Sequence, residues 1–181
     1  SLSGIPVPQC AVSVVACASF FVQNSTNIKT GSMDTVNTLK EISIAFINDK
    51  SPIADMTCND LTASGIDVLF RSENLQDGLS QLSAIKELPK VCIIDLDFYD
   101  KNVLAQLQEL RTKYSTIKLI AHSDIGTEKA VKSLLEIGFD SYLLIGSDAY
   151  DFKKAIEVVI NEGRYFSVGV AEIAQEYFSN K

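Results

Sequence analysis

An apolar run near the middle of the chain ends abruptly on a carboxylate. The run is Val91-Cys92-Ile93-Ile94, and Asp95 follows it directly. Consecutive apolar residues of this kind are typical of a strand that is buried on both faces of a parallel sheet. Because open α/β sheets bind their ligands at the carboxyl ends of the strands, Asp95 is a candidate for chemistry.

A second apolar run, residues 42–47, is followed by Asn48 and Asp49. If the two runs are neighbouring strands, Asp49 and Asp95 lie at the same edge of the sheet. Clustered carboxylates repel one another unless a cation or a proton is shared, and hard cations prefer oxygen ligands. Asp49, Asp95 and the backbone carbonyl of Asp97 therefore predict a site for Mg²⁺. Taken singly, Asp49 or Asp97 is more typical of a turn or helix cap, so the prediction depends on the joint placement of the acids.

Two further polar residues, His122 and Ser123, end the run that begins at Ile117. Carboxylates attack phosphoryl donors in acyl-phosphate chemistry, and Asp95 is the acid best placed for that role. Ser123 would then donate a hydrogen bond to the transferred group. His122, the only histidine, fits an exposed strand-end residue better than a catalytic base, because no partner for it is evident in the sequence.

Alternating strand and helix patterns must position these residues. Strands are predicted at 42–47, 66–71, 91–95, 117–122 and 140–144, with helices at about 52–64, 75–88, 101–114, 127–137 and 149–162. Gly138 and Gly163 stand where a helix needs a left-handed terminator. The pattern predicts an α/β fold with a flavodoxin-like, doubly wound, five-stranded parallel sheet of order 2-1-3-4-5, which makes the first and third strands neighbours.

Composition limits the class of protein. The chain has 181 residues, of which 46% are hydrophobic, so it fits a single well-buried domain. With 16 basic and 23 acidic residues its net charge is −7, which argues against a nucleic-acid surface within this segment. The four cysteines show no metal-binding spacing and fit a reducing cytoplasm. No enzymatic activity is predicted.

Residues 1–33 differ from the rest and are either a leader or an extra element packed on the domain. Their apolar stretch, residues 10–22, is too short to span a bilayer. No Lys or Arg precedes it, which disfavours a secretory signal. We predict a domain over 40–167 without membrane association, followed at 168–181 by a C-terminal helix or linker.

Several motifs, in order, resemble the receiver (CheY-like) domain of bacterial response regulators. The resemblance favours the branch with a C-terminal helix-turn-helix of the LuxR/NarL type. The residues that carry it are the strand Ile44–Asp49, the strand Cys92–Asp95, Ser123, the segment Gly138–Leu144 and the segment Glu162–Ser167. The resemblance implies that Asp95 is the phosphoacceptor, Ser123 the switch hydroxyl and Tyr142 the switch aromatic residue, and that Asn48 holds a metal-bound water.

The sequence also departs from that family. Ile145 occupies the place of its nearly invariant lysine, Asn48 replaces the first acid of the pair, and Tyr99 replaces a common proline. Loss of the lysine removes a cation from a developing dianion, which weakens the phosphorylation switch.

The leading interpretation is a phosphoprotein of a two-component phosphorelay. A sensor histidine kinase would phosphorylate Asp95, and transcription would be regulated through a DNA-binding domain outside this chain. An alternative is a pseudo-receiver that dimerises or binds a partner without phosphorylation. A flavodoxin-like protein that binds phosphate or a nucleotide is less favoured, because no Gly-rich phosphate loop follows a strand. Consecutive β-branched residues 158–160 cannot all face the sheet, and an exposed Val158 predicts a homodimer contact.

Overall fold

Strands and helices alternate along the computed structural model, which describes residues 42–48, 52–96 and 102–181. The strands are β1 (Ser43–Ile47), β2 (Asp67–Arg71), β3 (Val91–Asp95), β4 (Lys118–Ser123), β5 (Ser141–Leu144) and β6 (Tyr165–Phe166). The helices are α1 (Pro52–Ala63), α2 (Leu75–Ala84), α3 (Val103–Lys113), α4 (Glu128–Ile137), α5 (Ala149–Ile160) and α6 (Val168–Ser179).

All neighbouring strands of the sheet are parallel, and their order is β2-β1-β3-β4-β5-β6. The α/β class and the order of the first five strands are those predicted from the sequence. The prediction of a five-stranded sheet was wrong, because β6 pairs with β5 through Ser141↔Tyr165 and Tyr142↔Phe166. A two-residue strand has no periodicity to detect, and its pairing is held instead by contacts such as the hydrogen bond from Ser141 Oγ to the Tyr165 carbonyl.

The core has one layer on each face of the sheet. One face packs against buried residues of α2, α3, α4 and α6, and the other against buried residues of α1 and α5. In α5 the buried residues Phe152, Ala155, Ile156 and Val159 lie on one stripe, which is the periodicity seen in the sequence. The strands of the middle of the sheet are covered on both faces, which explains their uninterrupted apolar sequences.

Helix ends follow local chemistry. Thr127 caps α4 through its hydroxyl, which accepts from the Ala130 N–H, and Gly138 ends the helix with a left-handed φ of 106°. At the end of α5 the sequence prediction was wrong, because Glu162 takes the left-handed conformation with φ of 62°. Gly163 instead allows the backbone to pass close to Val158, since a β-carbon at Gly163 would lie 2.7 Å from Cγ1 of Val158.

An arginine joins three segments at the amino edge of the sheet. The guanidinium of Arg111 donates to the carbonyls of Ser115, Ile117 and Gly138 at 3.1, 2.8 and 2.8 Å. It also lies 3.6 Å from the carboxylate of Asp140, which accepts the Leu119 N–H at 2.9 Å. Burial lowers the pKa of Arg111, while Asp140 opposes that shift. The network fixes where β4 and β5 begin.

Several predicted features lie outside the described residues, namely the segment 1–33, Asp49 and Asp97. In the part that the structure describes, no helix has the length and apolar character needed to cross a membrane. Val158, predicted to be exposed, is half-buried and accepts the Gly163 N–H through its carbonyl at 2.9 Å. It therefore offers less apolar surface to a second copy than the sequence indicated.

Candidate functional site

Asp95 is the last residue of β3, between β1 and β4 in the centre of the sheet. The apolar residues before it are fully or almost fully buried, whereas its own side chain is 36% exposed. The strand thus fixes the backbone of Asp95 while its carboxylate reaches solvent at the carboxyl edge. This is the placement that an acid needs if it is to meet a ligand there.

Asn48 lies beside Asp95, one residue beyond the end of β1. Its side-chain amide donates to the backbone carbonyl of Asp95 at 2.6 Å. Its backbone is left-handed, with φ of 62°, a conformation that Asn tolerates better than most residues. The ends of β1 and β3 are therefore joined directly, as the predicted strand order requires.

His122 also belongs to this group, although the sequence analysis did not include it. It is the register partner of Asp95 across β3 and β4, and its Nδ1 lies 3.8 Å from Oδ1 of Asp95. Its ring packs edge-on against Phe152 of α5, with 5.2 Å between ring centroids. The interpretation of His122 as an exposed residue without a partner was wrong, because its side chain is only 21% exposed. The signal that was available is its position at the end of the strand next to β3.

Ser123, the last residue of β4, and Tyr142, within β5, lie close to each other, and both are fully buried. Ser123 Oγ accepts the Ile125 N–H at 3.1 Å and lies 3.5 Å from the Leu96 carbonyl. The Tyr142 hydroxyl donates to the carbonyl of the same residue, Ile125. Burial raises the pKa of Tyr142, and a hydrogen bond with Ser123 opposes the shift, so the phenol remains a donor at neutral pH. The structure brings together the pair predicted as switch hydroxyl and switch aromatic residue.

Ile145 follows β5 at the same edge. Its side chain is 63% exposed, and its backbone N–H donates to the Ser123 carbonyl at 3.0 Å. The place at which the resemblance expects a lysine thus presents a branched apolar side chain to solvent. A lysine there would have the space to extend, so packing does not explain the isoleucine.

Two of the residues predicted to hold magnesium, Asp95 and Asn48, lie together at this edge of the sheet. Asp95 and the side-chain oxygen of Asn48 are oxygen donors of the type that Mg²⁺ prefers. Within 42–48, 52–96 and 102–181, no group of three His, Cys, Asp or Glu residues is placed to hold a metal ion. Asp49 and Asp97, the other predicted ligands, are not among those residues. The donor chemistry therefore fits, while the magnesium site stays a prediction.

Comparison with solved structures identifies the architecture. The chain is similar to the RcsB response regulator of Salmonella typhimurium, with TM-score 0.63, 13% identity, and coverage of 77% of this chain and 68% of that one. A LuxR-family two-component response regulator from Aurantimonas gives TM-score 0.63 and 18% identity over 75% of this chain and 97% of that one.

A CheY-like receiver domain protein from Methanospirillum hungatei gives TM-score 0.59 and 19% identity over 67% of this chain and 94% of that one. No protein-family model matches the sequence, and no curated protein matches it. The chain has the fold of response-regulator receiver domains.

Proposed function

We propose that this chain is the receiver domain of a two-component response regulator, with Asp95 as the residue that a sensor histidine kinase phosphorylates. One observation carries the proposal. On a receiver fold, Asp95 and Ser123 are the last residues of the adjacent strands β3 and β4, and Tyr142 lies within β5. The Asp95 side chain is 36% exposed, whereas Ser123 and Tyr142 are fully buried. This arrangement suits an acid that reacts at the surface and a buried pair that changes its hydrogen bonds in response.

The chemistry is transfer of a phosphoryl group between two residues. A carboxylate oxygen of Asp95 would attack phosphorus, the bond from phosphorus to the imidazole nitrogen of the kinase would break, and an acyl phosphate would form. Bound Mg²⁺ would neutralise charge on the phosphoryl oxygens. The ligands proposed for it are Asp49, Asp95 and the Asp97 carbonyl, with Asn48 acting through water.

Ser123 would supply the protein's own hydrogen bond to the phosphoryl group. To do so its hydroxyl must leave the Leu96 carbonyl, a contact that is already long at 3.5 Å. If Oγ itself moves toward the phosphoryl group, it would also leave the Ile125 N–H, which it now accepts at 3.1 Å. Since Ile125 is the residue that holds the Tyr142 hydroxyl, phosphorylation and the position of Tyr142 would be linked.

The wider role that we propose is control of transcription in the cytoplasm by a full-length protein that acts as a dimer. The support is that one structural neighbour is described as two RcsB dimers bound to two parallel DNAs, with TM-score 0.61 and 14% identity. Because this chain is acidic, we propose that another part of such a protein contacts the DNA.

Ile145 favours a second candidate, a pseudo-receiver that dimerises or binds a partner without phosphorylation. An exposed isoleucine at the end of β5 supplies no charge to a phosphorylated Asp95. Loss of a preorganised cation at a site of developing negative charge lowers both the rate of transfer and the stability of the product. The fold and the Ser123–Tyr142 pair would then serve only as a scaffold.

Phosphotransfer from acetyl phosphate with Mg²⁺ separates the two candidates. Intact-mass spectrometry should show one added phosphoryl group on the wild type and none on Asp95→Asn, while Asp60→Asn, a change of an exposed acid on α1, should label normally. Absence of labelling at any Mg²⁺ concentration, with NMR signals of Ser123 and Tyr142 unmoved by beryllofluoride, would reject the phosphoacceptor and leave the pseudo-receiver.

A further inference from the structure

The first turn of α6 lies against the segment that joins β4 to α4, residues 124–127. A β-carbon placed on Gly126 would lie 3.3 Å from Val170 Cγ1 and 3.3 Å from Leu144 Cδ2. A β-carbon placed on Gly169 would lie 2.8 Å from Leu144 Cδ1. The Leu144 side chain therefore lies between the 124–127 segment and α6, and the absence of side chains at Gly126 and Gly169 allows this close approach.

The 124–127 segment is held in place by the switch pair. The Ile125 N–H donates to Ser123 Oγ at 3.1 Å, and the Ile125 carbonyl accepts from the Tyr142 hydroxyl. Gly126 is the next residue, so these two hydrogen bonds determine where it lies. The Gly126 backbone, against which Val170 lies, thus directly follows the residue that Ser123 and Tyr142 hold.

The start of α6 is attached to β5 from the other side. The Ser167 N–H donates to the Tyr142 carbonyl at 3.0 Å, and Ser167 Oγ accepts the Leu144 N–H at 2.9 Å. The carbonyl of Ser167 in turn accepts the N–H groups of Val170 and Ala171 at 2.9 and 3.0 Å. Val170 is fully buried. The helix start thus depends on β5 and on the 124–127 segment together.

We infer that α6 is coupled to Ser123, so that the hydrogen-bond state of this hydroxyl determines how tightly the first turn of the helix docks. Its trigger rests on the proposed function, because a phosphoryl group on Asp95 that draws Ser123 Oγ toward it would move this acceptor away from the Ile125 N–H. Gly126 would then shift and Val170 would lose packing. Coupling between two sites is reciprocal, so undocking α6 must also loosen Ile125.

Amide hydrogen exchange on the full chain tests the coupling without phosphorylation. Ser123→Ala should speed exchange of the Val170 and Ala171 amides by about fivefold or more, since local opening becomes easier where packing is lost. Ser80→Ala, which removes an exposed helix hydroxyl on α2, should leave these amides unchanged. Equal exchange at Val170 and Ala171 in Ser123→Ala and wild type would overturn the inference.

The reverse experiment starts from the helix. Val170→Ala should speed exchange of the Ile125 amide and shift the Tyr142 ring signals, whereas Val159→Ala, an equally buried valine on the opposite face, should not. If both variants affect Ile125 alike, the effect is general destabilisation and the inference fails. Should Val170→Ala not fold, Gly126→Ala offers a milder change, since its methyl group presses on Leu144 and Val170 at 3.3 Å.

Beryllofluoride with Mg²⁺ distinguishes this inference from the proposed function. Loosening of α6 by Ser123→Ala, with no response to beryllofluoride anywhere, supports the coupling and rejects phosphorylation of Asp95. If beryllofluoride shifts the NMR signals of Ser123 and Tyr142 while amide exchange in α6 stays unchanged, the coupling is rejected and the phosphoacceptor role of Asp95 is supported. Loosening of α6 in both experiments supports both.

Discussion

Nδ1 of His122 lies 3.8 Å from Oδ1 of Asp95, and the two residues are register partners at the carboxyl ends of β4 and β3. The imidazole also packs edge-on against Phe152 of α5. The acid proposed to accept a phosphoryl group is therefore flanked by an aromatic ring on β4 and by Asn48, which lies one residue beyond the end of β1.

Removing the His122 ring should weaken the packing of this edge. We expect His122→Ala to lower the free energy of unfolding by about 1–2 kcal/mol, because the edge-on contact with Phe152 is lost from a mostly buried site. His122→Phe keeps an aromatic ring and should stay close to wild type. Urea titration followed by circular dichroism measures both, and equal stability of His122→Ala and wild type would contradict the packing role.

Restoring a cation at the end of β5 should improve phosphoryl retention. Ile145→Lys is expected to increase labelling of Asp95 by acetyl phosphate several-fold, because an ammonium group stabilises the developing dianion. Ile145 is 63% exposed, so the melting temperature should hardly change. Val168→Lys adds the same charge at an exposed apolar position on α6 and should not increase labelling. Rapid stoichiometric labelling of the wild type would show that Ile145 is no obstacle.

The Arg111 network should be a major source of stability at the amino edge. We expect Arg111→Ala to lower the free energy of unfolding by about 2–4 kcal/mol, since the carbonyls of Ser115, Ile117 and Gly138 lose their donor. Gln108→Ala, at an exposed position on the same helix, is the control and should cost little. Thermal unfolding of both variants checks the difference, and similar values for the two would refute the network's role.

Stability should decline in alkaline solution. Burial is the main cause that raises the pKa of Tyr165 from 10.0 to about 12, and a hydrogen bond with Asp151 adds to the shift. A pKa that is higher in the folded state contributes stability that is complete below the unfolded value and is lost as pH rises through the folded one. The unfolding free energy should therefore fall between pH 10 and 12, and Tyr165→Phe should reduce that slope. An identical slope in the variant would contradict the assignment.

Cys92 should resist thiol reagents in the folded protein. Burial raises the pKa of its thiol to about 12, and the thiolate is the reactive form. Peptide mapping after iodoacetamide at pH 8 should show Cys92 unmodified in the native chain and modified in urea. Modification at equal rates in the two conditions would mean that β3 opens readily.

Much of this architecture could be predicted from the sequence because its signals are periodic. Strands buried on both faces need uninterrupted apolar residues, as in β1, β3 and β4, and a helix packed on a sheet needs an apolar stripe, as in α5. The placement of Ser123 and Tyr142 followed from motif order. The contact between His122 and Asp95 depends on strand register, which no local pattern encodes. The two-residue β6 depends on its tertiary pairing with β5, so the sequence could not indicate it. The left-handed residue after α5 is Glu162, whereas the local pattern favoured the neighbouring glycine.

Among the strands that the structure describes, both edges of the sheet discourage pairing with a strand from another molecule. At one edge β2 begins and ends with exposed charges, Asp67 and Arg71. At the other edge β6 is two residues long, and α6 begins two residues after it. Short or charged edges are poor templates for further backbone pairing, which protects a protein from fibrillar aggregation. Two copies of this chain that associate would therefore meet through helical surfaces rather than through a continuous sheet.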